Sequence, residues 1–529
     1  MNHSAPFVFV AWISLSTAGF GATFPFAEAT IDDLQRRMAA GELTASALAQ
    51  AYLDRIAAVD QAGPKLNSVI EVNPDALAIA GQMDAERKAG RVRGPLHGIP
   101  VLIKDNIATA DKLETTAGSL ALVGQKPPRD AHVVVRLRES GAVILGKTNL
   151  SEWANFRGEK SVSGWSGRGG QTANPYVLDR SPSGSSSGSG AAVAANLCVA
   201  AIGTETSGSI ISPSSICGIV GVKPTVGLVS RTGIIPIAAS FDTAGPMTRT
   251  VRDAALVLAA LTAADPHDPA THEAPAGMAA IMAGALPGQA LRGARIGVLR
   301  GSFRPTLDDV ILDALKVLRA AGAEVIEVGN LPTNLRSTEV MLYEMKAGLN
   351  AYLATLGPDA RMKTLPDLLK FNEDNWAKEM PLFGQQRFSQ AQAKGPLTDP
   401  AYLDALAACR RVTRAETIDG LMEQHRLDAL VSIAAAPAGL ISPAGTPDPI
   451  FGERGPSGGG ASTAAIAGYP SVTVPAAQVR GLPVGILFFG RAWSDAKLLA
   501  LAADFEARTR GRREPHFRRT IAQEAAGSR

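Results

Sequence analysis

Residues 181–209 read Ser-Pro-Ser-Gly-Ser-Ser-Ser-Gly-Ser-Gly-Ala-Ala-Val-Ala-Ala-Asn-Leu-Cys-Val-Ala-Ala-Ile-Gly-Thr-Glu-Thr-Ser-Gly-Ser. The first ten residues have the composition of a flexible linker. The apolar run 191–201 follows directly and predicts a buried helix, which leads into 202–209. Because a linker has no reason to enter a core segment directly, we predict that the whole stretch belongs to the folded core.

Strands and helices alternate on both sides of this stretch, as in an α/β layered domain. The short apolar strand Val101–Ile103 ends at Lys104. The other predicted elements are a helix over 131–139 capped by Asp130, a strand over Ala142–Leu145, a strand over Arg295–Leu299, a helix over Asp308–Ala320 and a strand over Glu324–Val328.

Charge and cysteine content exclude several classes of protein. Among 529 residues, 52 basic and 49 acidic side chains give a net charge of +3, which indicates neither a nucleic-acid nor a membrane partner. The arginine-rich C-terminal stretch 508–519 is typical of a solvated tail. Cys198, Cys217 and Cys409 form no CxxC pair, so we expect neither a disulfide framework nor a thiolate metal site.

The N-terminus has the pattern of a cleaved export signal. Phe7–Leu15 is a short apolar run, and the small residues that follow suit cleavage within 18–23. The run is too short to span a membrane. We therefore predict an export signal over residues 1–22, a periplasmic or secreted protein, and no membrane anchor.

The Ser/Gly segment also matches a nucleophile elbow. Residues Gly184–Gly188 fit G-x-S-x-G with Ser186 as the nucleophile, whereas a phosphate-binding loop lacks its Gly-Lys-Ser/Thr. An elbow needs a preceding strand, but two prolines and an aspartate make 173–183 a poor one. It also needs a downstream histidine, and past residue 272 the chain offers His425 and His516. An α/β-hydrolase that uses Ser186 remains an alternative.

Histidine is scarce, and this limits the choice of catalytic base and of metal site. The chain has seven histidines, and His97, in a predicted turn, suits a structural role. The loop 262–290 contains Asp265, His267, Asp268, His272 and Glu273, but without HExxH spacing it is a better polar loop than a metal site. A serine hydrolase without a suitable histidine needs another base.

Three blocks carry a family resemblance: Gly98–Asn106, Gly184–Ser189 and Gly203–Ser209, the last continuing to Gly221–Thr225. In their order, and in the separation of 24 positions from Ser185 to Ser209, they resemble the amidase signature family. The resemblance implies an α/β fold with a large mixed β-sheet sandwiched between layers of α-helices.

The resemblance extends to bacterial peptide amidases over roughly residues 24–520, which implies a single catalytic domain. It is carried by Asn149–Gly158, Gly164–Ser166, Gly227–Pro236 and Gly481–Gly485. Peptide amidases convert the C-terminal amide of a peptide to a free acid and ammonia. The resemblance therefore implies an amide substrate, an acyl-enzyme, and neither metal nor organic cofactor.

By this match Ser209 is the nucleophile, Ser185 is a bridging serine after a cis peptide bond, and Lys104 is the base. The oxyanion hole is implied at the backbone N–H groups of Thr206, Ser207, Gly208 and Ser209. The chemistry is coherent, because lysine is a base only when neutral and burial at the end of an apolar strand lowers its pKa.

Two positions depart from the family pattern. Many relatives have Gly, and peptide amidases tend to have Asp, where this chain has Ser207; many have Arg where it has Ile211. Fine substrate choice is therefore open, and aryl or aliphatic amides remain an alternative. A component of a tRNA-dependent glutamine amidotransferase and a non-catalytic binding protein are further alternatives; the predicted export signal argues against the first and the intact triad against the second.

Overall fold

The computed structural model describes residues 24–300, 305–333, 335–443, 446, 448 and 459–521. The predicted export segment 1–22 lies outside these residues and stays a prediction, as do the domain bounds 24–520. Within the described part of the chain, none of the helices is long and apolar enough to cross a membrane.

Eleven strands form one sheet, in the order β1-β3-β2-β6-β8-β7-β12-β13-β11-β9-β10, and β4 and β5 form a separate small hairpin. The strands are β1 Val69–Val72, β2 Pro100–Lys104, β3 Val143–Thr148, β4 Trp165–Ser166, β5 Gly170–Gln171, β6 Ala200–Glu205, β7 Val220–Lys223, β8 Thr243–Thr248, β9 Arg295–Arg300, β10 Glu324–Asn330, β11 Ala429–Ile433, β12 Ser471–Val479 and β13 Leu482–Phe489.

The α-helices surround this sheet. They are α1 Ile31–Ala39, α2 Ala45–Arg55, α3 Ala76–Lys88, α4 His132–Glu139, α5 Ser187–Ala194, α6 Ile211–Ile216, α7 Val251–Leu261, α8 Met278–Ala283, α9 Pro305–Ala320, α10 Ser337–Ala354, α11 Leu365–Asp374, α12 Trp376–Glu379, α13 Gln386–Gln392, α14 Pro400–Arg410, α15 Asp419–Gln424, α16 Gly459–Ala467 and α17 Asp495–Thr509. Two π-helical turns cover Ile56–Gln61 and Arg411–Ile418, and 3-10 turns cover Leu120–Leu122, Glu152–Asn155 and Pro269–Glu273.

The sheet is mixed. Strand β2 runs parallel to both β3 and β6, and β9 runs parallel to β10 and β11, whereas the remaining neighbours are antiparallel. Parallel strands are normally covered on both faces. Strand β11, which is parallel to β9, shows that cover: Ala429 and Val431 pack in the main core with α7, α9 and α17, while Leu430 packs on the opposite face with α15 and α16. The predicted mixed sheet between helical layers is confirmed.

The stretch 181–209 is core, as predicted, but the helix over 191–201 is wrong. Helix α5 begins earlier, at Ser187, and ends at Ala194. Asn196 then adopts a left-handed conformation (φ 58°), and the Leu197 N–H donates to the Ala192 carbonyl, which closes the helix in a Schellman-type turn. The rest of the apolar run enters strand β6, so one buried run forms two elements.

Two other local predictions are corrected. Asp130 does not cap α4; its carboxylate accepts from the Ala110 N–H and pairs with Arg138. The C-terminal arginines are not all solvated, because the Arg512 guanidinium forms a bidentate pair with Glu28 and also donates to the carbonyl groups of Ala194 and Gly218.

The predicted loop over 262–290 is interrupted by the 3-10 turn Pro269–Glu273 and by helix α8. Asp265 accepts from the Ser230 hydroxyl and Asp268 pairs with Arg231. Among the described residues there is no group of three His, Cys, Asp or Glu side chains placed to hold a metal ion. The structure therefore gives these carboxylates structural partners.

Two glycines of α5 give a test of the core position of this segment. A Cβ at Gly188 would lie 2.2 Å from the Ser68 carbonyl oxygen and 2.5 Å from that of Asn149, whereas at Gly190 the nearest atom would be 3.2 Å away. Since overpacking against backbone costs about 1–3 kcal/mol, Gly188→Ala should lower the free energy of unfolding by about 2 kcal/mol. Gly190→Ala is the matched control and should change it by less than about 1 kcal/mol, as measured by urea unfolding. Equal effects would contradict this packing.

Candidate active site

Two neighbouring parallel strands bring the predicted catalytic residues to one edge of the sheet. Strands β2 and β6 pair in register, with Ile103 opposite Ile202. Their carboxyl ends therefore coincide, and ligand sites in α/β sheets lie at such ends. Lys104 is the last residue of β2, and Thr204 and Glu205 end β6 just before the segment 206–209.

The Lys104 amino group is fully buried and surrounded by oxygen atoms. Its Nζ lies 2.8 Å from Ser185 Oγ, 3.1 Å from Ser186 Oγ, 2.9 Å from Thr204 Oγ1 and 3.2 Å from the Thr204 carbonyl oxygen. The predicted contact between Lys104 and Ser185 is therefore present. Ser186 and Thr204 complete the shell around the amine.

The hydrogen-bond partners of the Lys104 amine determine which atom donates in its contact with Ser185 Oγ. The Ser186 hydroxyl donates to the Thr204 carbonyl, so it must accept from Lys104. Thr204 Oγ1 also accepts, both from Lys104 and from the Asn106 amide. A neutral amine has two N–H bonds and one lone pair. With its N–H bonds directed at Ser186 and Thr204, its lone pair is left for the Ser185 O–H.

Burial lowers the pKa of Lys104 to about 7, because an ammonium ion loses its hydration there. The nearby Glu205 and Asp242 carboxylates oppose this shift. Near neutral pH a substantial fraction of the amine is therefore uncharged. This is the property that a general base requires.

Two other lysines are equally buried, and their contacts differ. Lys147 donates to the Ile107 carbonyl and the Thr115 hydroxyl, and Lys223 donates to two backbone carbonyls. Burial lowers the pKa of each to about 8. Among the described residues, neither amine donates a hydrogen bond to a serine hydroxyl. Burial alone therefore does not distinguish Lys104, whereas its two serine hydroxyl partners do.

The peptide bond between Gly184 and Ser185 is cis, as the resemblance implied. Ser185 is fully buried, whereas Ser209 is 8% exposed. The Ser186 N–H donates to the Ser209 carbonyl oxygen at 3.1 Å, which joins the Ser185 segment to the Ser209 segment. This backbone hydrogen bond links the segments that carry the two predicted serines, and Ser209 is the more accessible of the two.

The segment 206–209 makes a tight turn with unused backbone donors. Gly208 has φ 83°, a conformation that suits glycine. The N–H groups of Thr206, Ser207 and Ser209 donate to no other described residue. The Gly208 N–H, by contrast, points to the Glu205 carboxylate. Three of the four predicted oxyanion donors are therefore uncommitted within the part of the chain that the structure covers.

The Glu205 side chain holds the residues that follow this turn. Its buried Oε2 accepts from the Ile210 N–H at 2.7 Å and the Ile211 N–H at 2.9 Å. Burial raises the pKa of this carboxyl, and the backbone donors oppose the shift. The carboxylate thereby fixes the backbone on the C-terminal side of Ser209.

A cavity of about 530 Å³ adjoins the site. Its lining includes Asn106, Asp242 and residues 204–206. Residues Ile234–Ile237 and α10 contribute apolar surface to the lining. Ser185 and Ser209 do not line it. The cavity therefore borders Thr204 and Asn106, which lie next to the Lys104 amine.

The two departures from the family pattern have different environments. The half-buried Ser207 hydroxyl lies 3.3 Å from Ser462 Oγ on α16. Ile211 is fully buried and packs with Leu487 and Phe489 beneath the sheet. Residue 207 thus borders the site, whereas residue 211 contributes to the core.

The nucleophile-elbow alternative is not supported by the geometry. The described residues 173–183 contain isolated bridges at Val177 and Arg180 but no strand leading into Gly184. Ser186 is fully buried, and its hydroxyl donates to the Thr204 carbonyl. Its position holds the Lys104 amine in place.

Sequence reasoning gave no role to four polar residues that the fold brings to this site. Asn106 and Thr204 lie within the quoted motifs, and that location was the available signal. Asp242, in Ser240-Phe-Asp-Thr-Ala-Gly245, lies outside every motif that we singled out, yet its carboxylate accepts from the Thr206 hydroxyl.

The fourth is Asn155, which ends an unusual turn. Trp153, Ala154 and Asn155 all have positive φ (48°, 53° and 68°), a strained state for non-glycine residues. The Asn155 Nδ2 lies 3.0 Å from where a Cβ on Gly184 would be, next to the cis peptide bond. The turn therefore directs a polar side chain at the Ser185 segment.

Comparison with known proteins identifies the family of this chain. The family model described as Amidase matches residues 47–499. The structure of peptide amidase from Stenotrophomonas maltophilia is 52% identical, covers 94% of this chain and 100% of its own, and superposes with a TM-score of 0.86. A protein named as a probable amidase from Arabidopsis thaliana is 40% identical over 95% of this chain and 94% of its own.

A more distant relative is a component of the Glutamyl-tRNA(Gln) amidotransferase of Roseiflexus castenholzii, 36% identical over 91% of this chain and 96% of its own. The family match spans most of the chain, and the structural match covers nearly all of it. The chain therefore belongs to the amidase signature family and is a hydrolase that acts on carbon–nitrogen amide bonds.

Proposed function

We propose that this protein hydrolyses terminal carboxamides, most favourably the C-terminal amide of peptides, with Ser209 as nucleophile and Lys104 as base through Ser185. One observation carries the proposal: the buried amine of Lys104 lies 2.8 Å from Ser185 Oγ, with its remaining contacts satisfied by acceptors. An amide carbonyl needs an activated nucleophile and donors for the developing oxyanion. Both are available at this edge of the sheet.

In the proposed reaction, Ser209 Oγ attacks the amide carbon as its proton passes to Ser185, and the Ser185 proton passes to Lys104. The negative charge on the carbonyl oxygen is stabilised by the backbone N–H groups of Thr206, Ser207 and Ser209. When the carbon–nitrogen bond breaks, the proton returns through Ser185 to the departing nitrogen and ammonia leaves. Water then cleaves the acyl ester by the same proton route and releases the carboxylic acid.

The substrate class rests on similarity and on the residue at 207. The relative with 52% identity is a peptide amidase, and that enzyme has also been solved in complex with the competitive inhibitor chymostatin. Ser207 leaves an uncharged hydroxyl beside the site, paired with Ser462. This environment suits a neutral carboxamide.

The roles of the triad predict the effects of single substitutions. Ser209→Ala should abolish amide turnover, because no other hydroxyl can form the acyl-enzyme. Lys104→Ala should reduce kcat by several orders of magnitude, on the scale of about 10⁴-fold for a lost proton acceptor. Ammonia release from N-acetyl-phenylalaninamide measures both. A variant Ser209→Ala that stays active while Ser186→Ala is dead would contradict the assignment and support the elbow alternative.

The pKa of Lys104 predicts the pH dependence. Since the base must be neutral, kcat/KM should fall about tenfold per pH unit below about pH 7 and level off above it. The sign follows from protonation of the amine, which removes the base as the pH falls. A profile that is flat from pH 5 to 8, or that rises toward acid, is incompatible with a lysine base.

The choice of amide separates the substrate hypotheses. Ammonia release should be faster with N-acetyl-phenylalaninamide than with propionamide, and an N-acetyl-phenylalanine anilide should be cleaved more slowly than the primary amide. Turnover of the anilide alone would refute the peptide-amide proposal and favour aryl amides. Faster turnover of propionamide would favour aliphatic amides with the same triad.

A further inference from the structure

The loop that leads into β8 contacts the oxyanion segment through one carboxylate. Asp242 Oδ1 accepts from the Thr206 hydroxyl at 2.5 Å. Its Oδ2 accepts from the backbone N–H groups of Ile237 and Ala238, each at 2.9 Å. One side chain therefore connects the Thr206 end of the predicted oxyanion hole to the loop 237–242.

This carboxylate lies on the cavity side of the lysine shell. Asp242 lines the cavity together with Thr204 and Thr206, and Thr204 is in direct contact with the Lys104 amine. Its negative charge acts on Lys104 in the sense that favours the ammonium form, and among the charged groups acting on the amine it accompanies Glu205. Asp242 thus opposes the burial that makes the lysine a base.

We propose that Asp242 is a positioning residue of this amide-hydrolysing site, which holds Thr206 at the end of the predicted oxyanion hole and presents a negative charge on the cavity side of the Lys104 amine. The inference rests on the proposed function of Lys104 and Ser209. Asp242 does not contact the reacting atoms. It acts through Thr206, by hydrogen bonding, and through space, by its field.

The charged groups around Asp242 can be named from each packed element. Lys104 faces it from β2, Glu344 from α10 and Arg231 from the loop before it. Glu205 of β6 lines the same cavity. Arg231 is held in an ion pair with Asp268. Glu344 accepts from the Ser240 N–H and hydroxyl and from the Tyr402 hydroxyl.

In this environment the Asp242 carboxyl group itself titrates close to the pH range in which Lys104 titrates. Burial raises the pKa of Asp242 to about 6, and its three hydrogen-bond donors oppose the shift. Around pH 7 it is therefore mostly ionised, and its charge is present while Lys104 titrates. Below about pH 6 the charge is lost, and its influence on the lysine disappears with it.

The substitution Asp242→Asn separates charge from shape. The amide oxygen can still accept from Ile237 and Ala238, and the Thr206 hydroxyl can turn to accept from the amide nitrogen. Because the substitution removes a negative charge near Lys104, the pKa of Lys104 should fall. The acid limb of kcat/KM should move to lower pH by about half a unit or more, with the high-pH plateau reduced less than tenfold. If Asp242 had a purely structural role, its substitution would lower the plateau of kcat/KM without shifting the acid limb.

Three further variants complete the test. Glu344→Gln removes an equal charge from the same region but leaves the acceptors of Thr206 intact, and its acid limb should coincide with that of the wild type. Thr206→Val removes the donor and should lower the plateau without moving the limb to lower pH. Asp242→Ala removes the acceptor of three donors and should lower the plateau more than Asp242→Asn does.

The readouts are kcat/KM for N-acetyl-phenylalaninamide from pH 5 to 9 and, independently of any amide, the rate at which phenylmethanesulfonyl fluoride modifies Ser209, followed by mass spectrometry. The inference is overturned if, in both readouts, the acid limb of Asp242→Asn lies at the same pH as that of the wild type or at a higher pH. The proposed function is unaffected by that result. Failure of wild-type Ser209 to be modified, together with no amide turnover, overturns both. A limb that moves equally in Glu344→Gln also overturns it, because the effect would then be one of net charge.

Discussion

The desolvation of one amino group, that of Lys104, is the constraint on which the rest of the site depends. Lowering its pKa from 10.5 to about 7 corresponds to about 5 kcal/mol of lost ammonium hydration. At neutral pH the folded state gives up a proton that the unfolded chain retains, so this cost to stability diminishes as the pH rises toward 10.5. Strands β2 and β6, buried along their whole length and covered by helices, supply packing that offsets it. The same burial strengthens the few hydrogen bonds of the amine.

Helices α12 and α13 hold the turn that carries Asn155. Glu152 and Arg157 form a fully buried ion pair, and the Arg157 guanidinium also donates to the Glu379 carbonyl on α12. Trp153 packs against Phe388 of α13 at 5.4 Å between ring centroids. Three consecutive residues with positive φ cost of order 1–2 kcal/mol each, and these buried contacts offset that cost. The strain is located beside the Ser185 segment, where a polar side chain has to be aimed.

Local sequence determined a large part of this protein. Thr30 caps α1, the apolar run before Lys104 forms β2, and the alternation over 295–328 forms β9, α9 and β10, because short-range patterns of caps and apolar residues fix such elements. The motifs that resemble the amidase signature family also predict Lys104, Ser185 and Ser209 as the catalytic residues. Local pattern failed at Asn196, since a buried apolar run is compatible with helix and strand alike.

Tertiary structure decided what no short pattern encodes. The register between β2 and β6 places Thr204 against Lys104, residues that are 100 positions apart. The path of the chain before β8 brings Asp242 to Thr206, and helix α16 brings Ser462 to Ser207. Sequence determines which groups can ionise or donate, but burial and distance set their proton affinity, and both arise only when distant segments pack together.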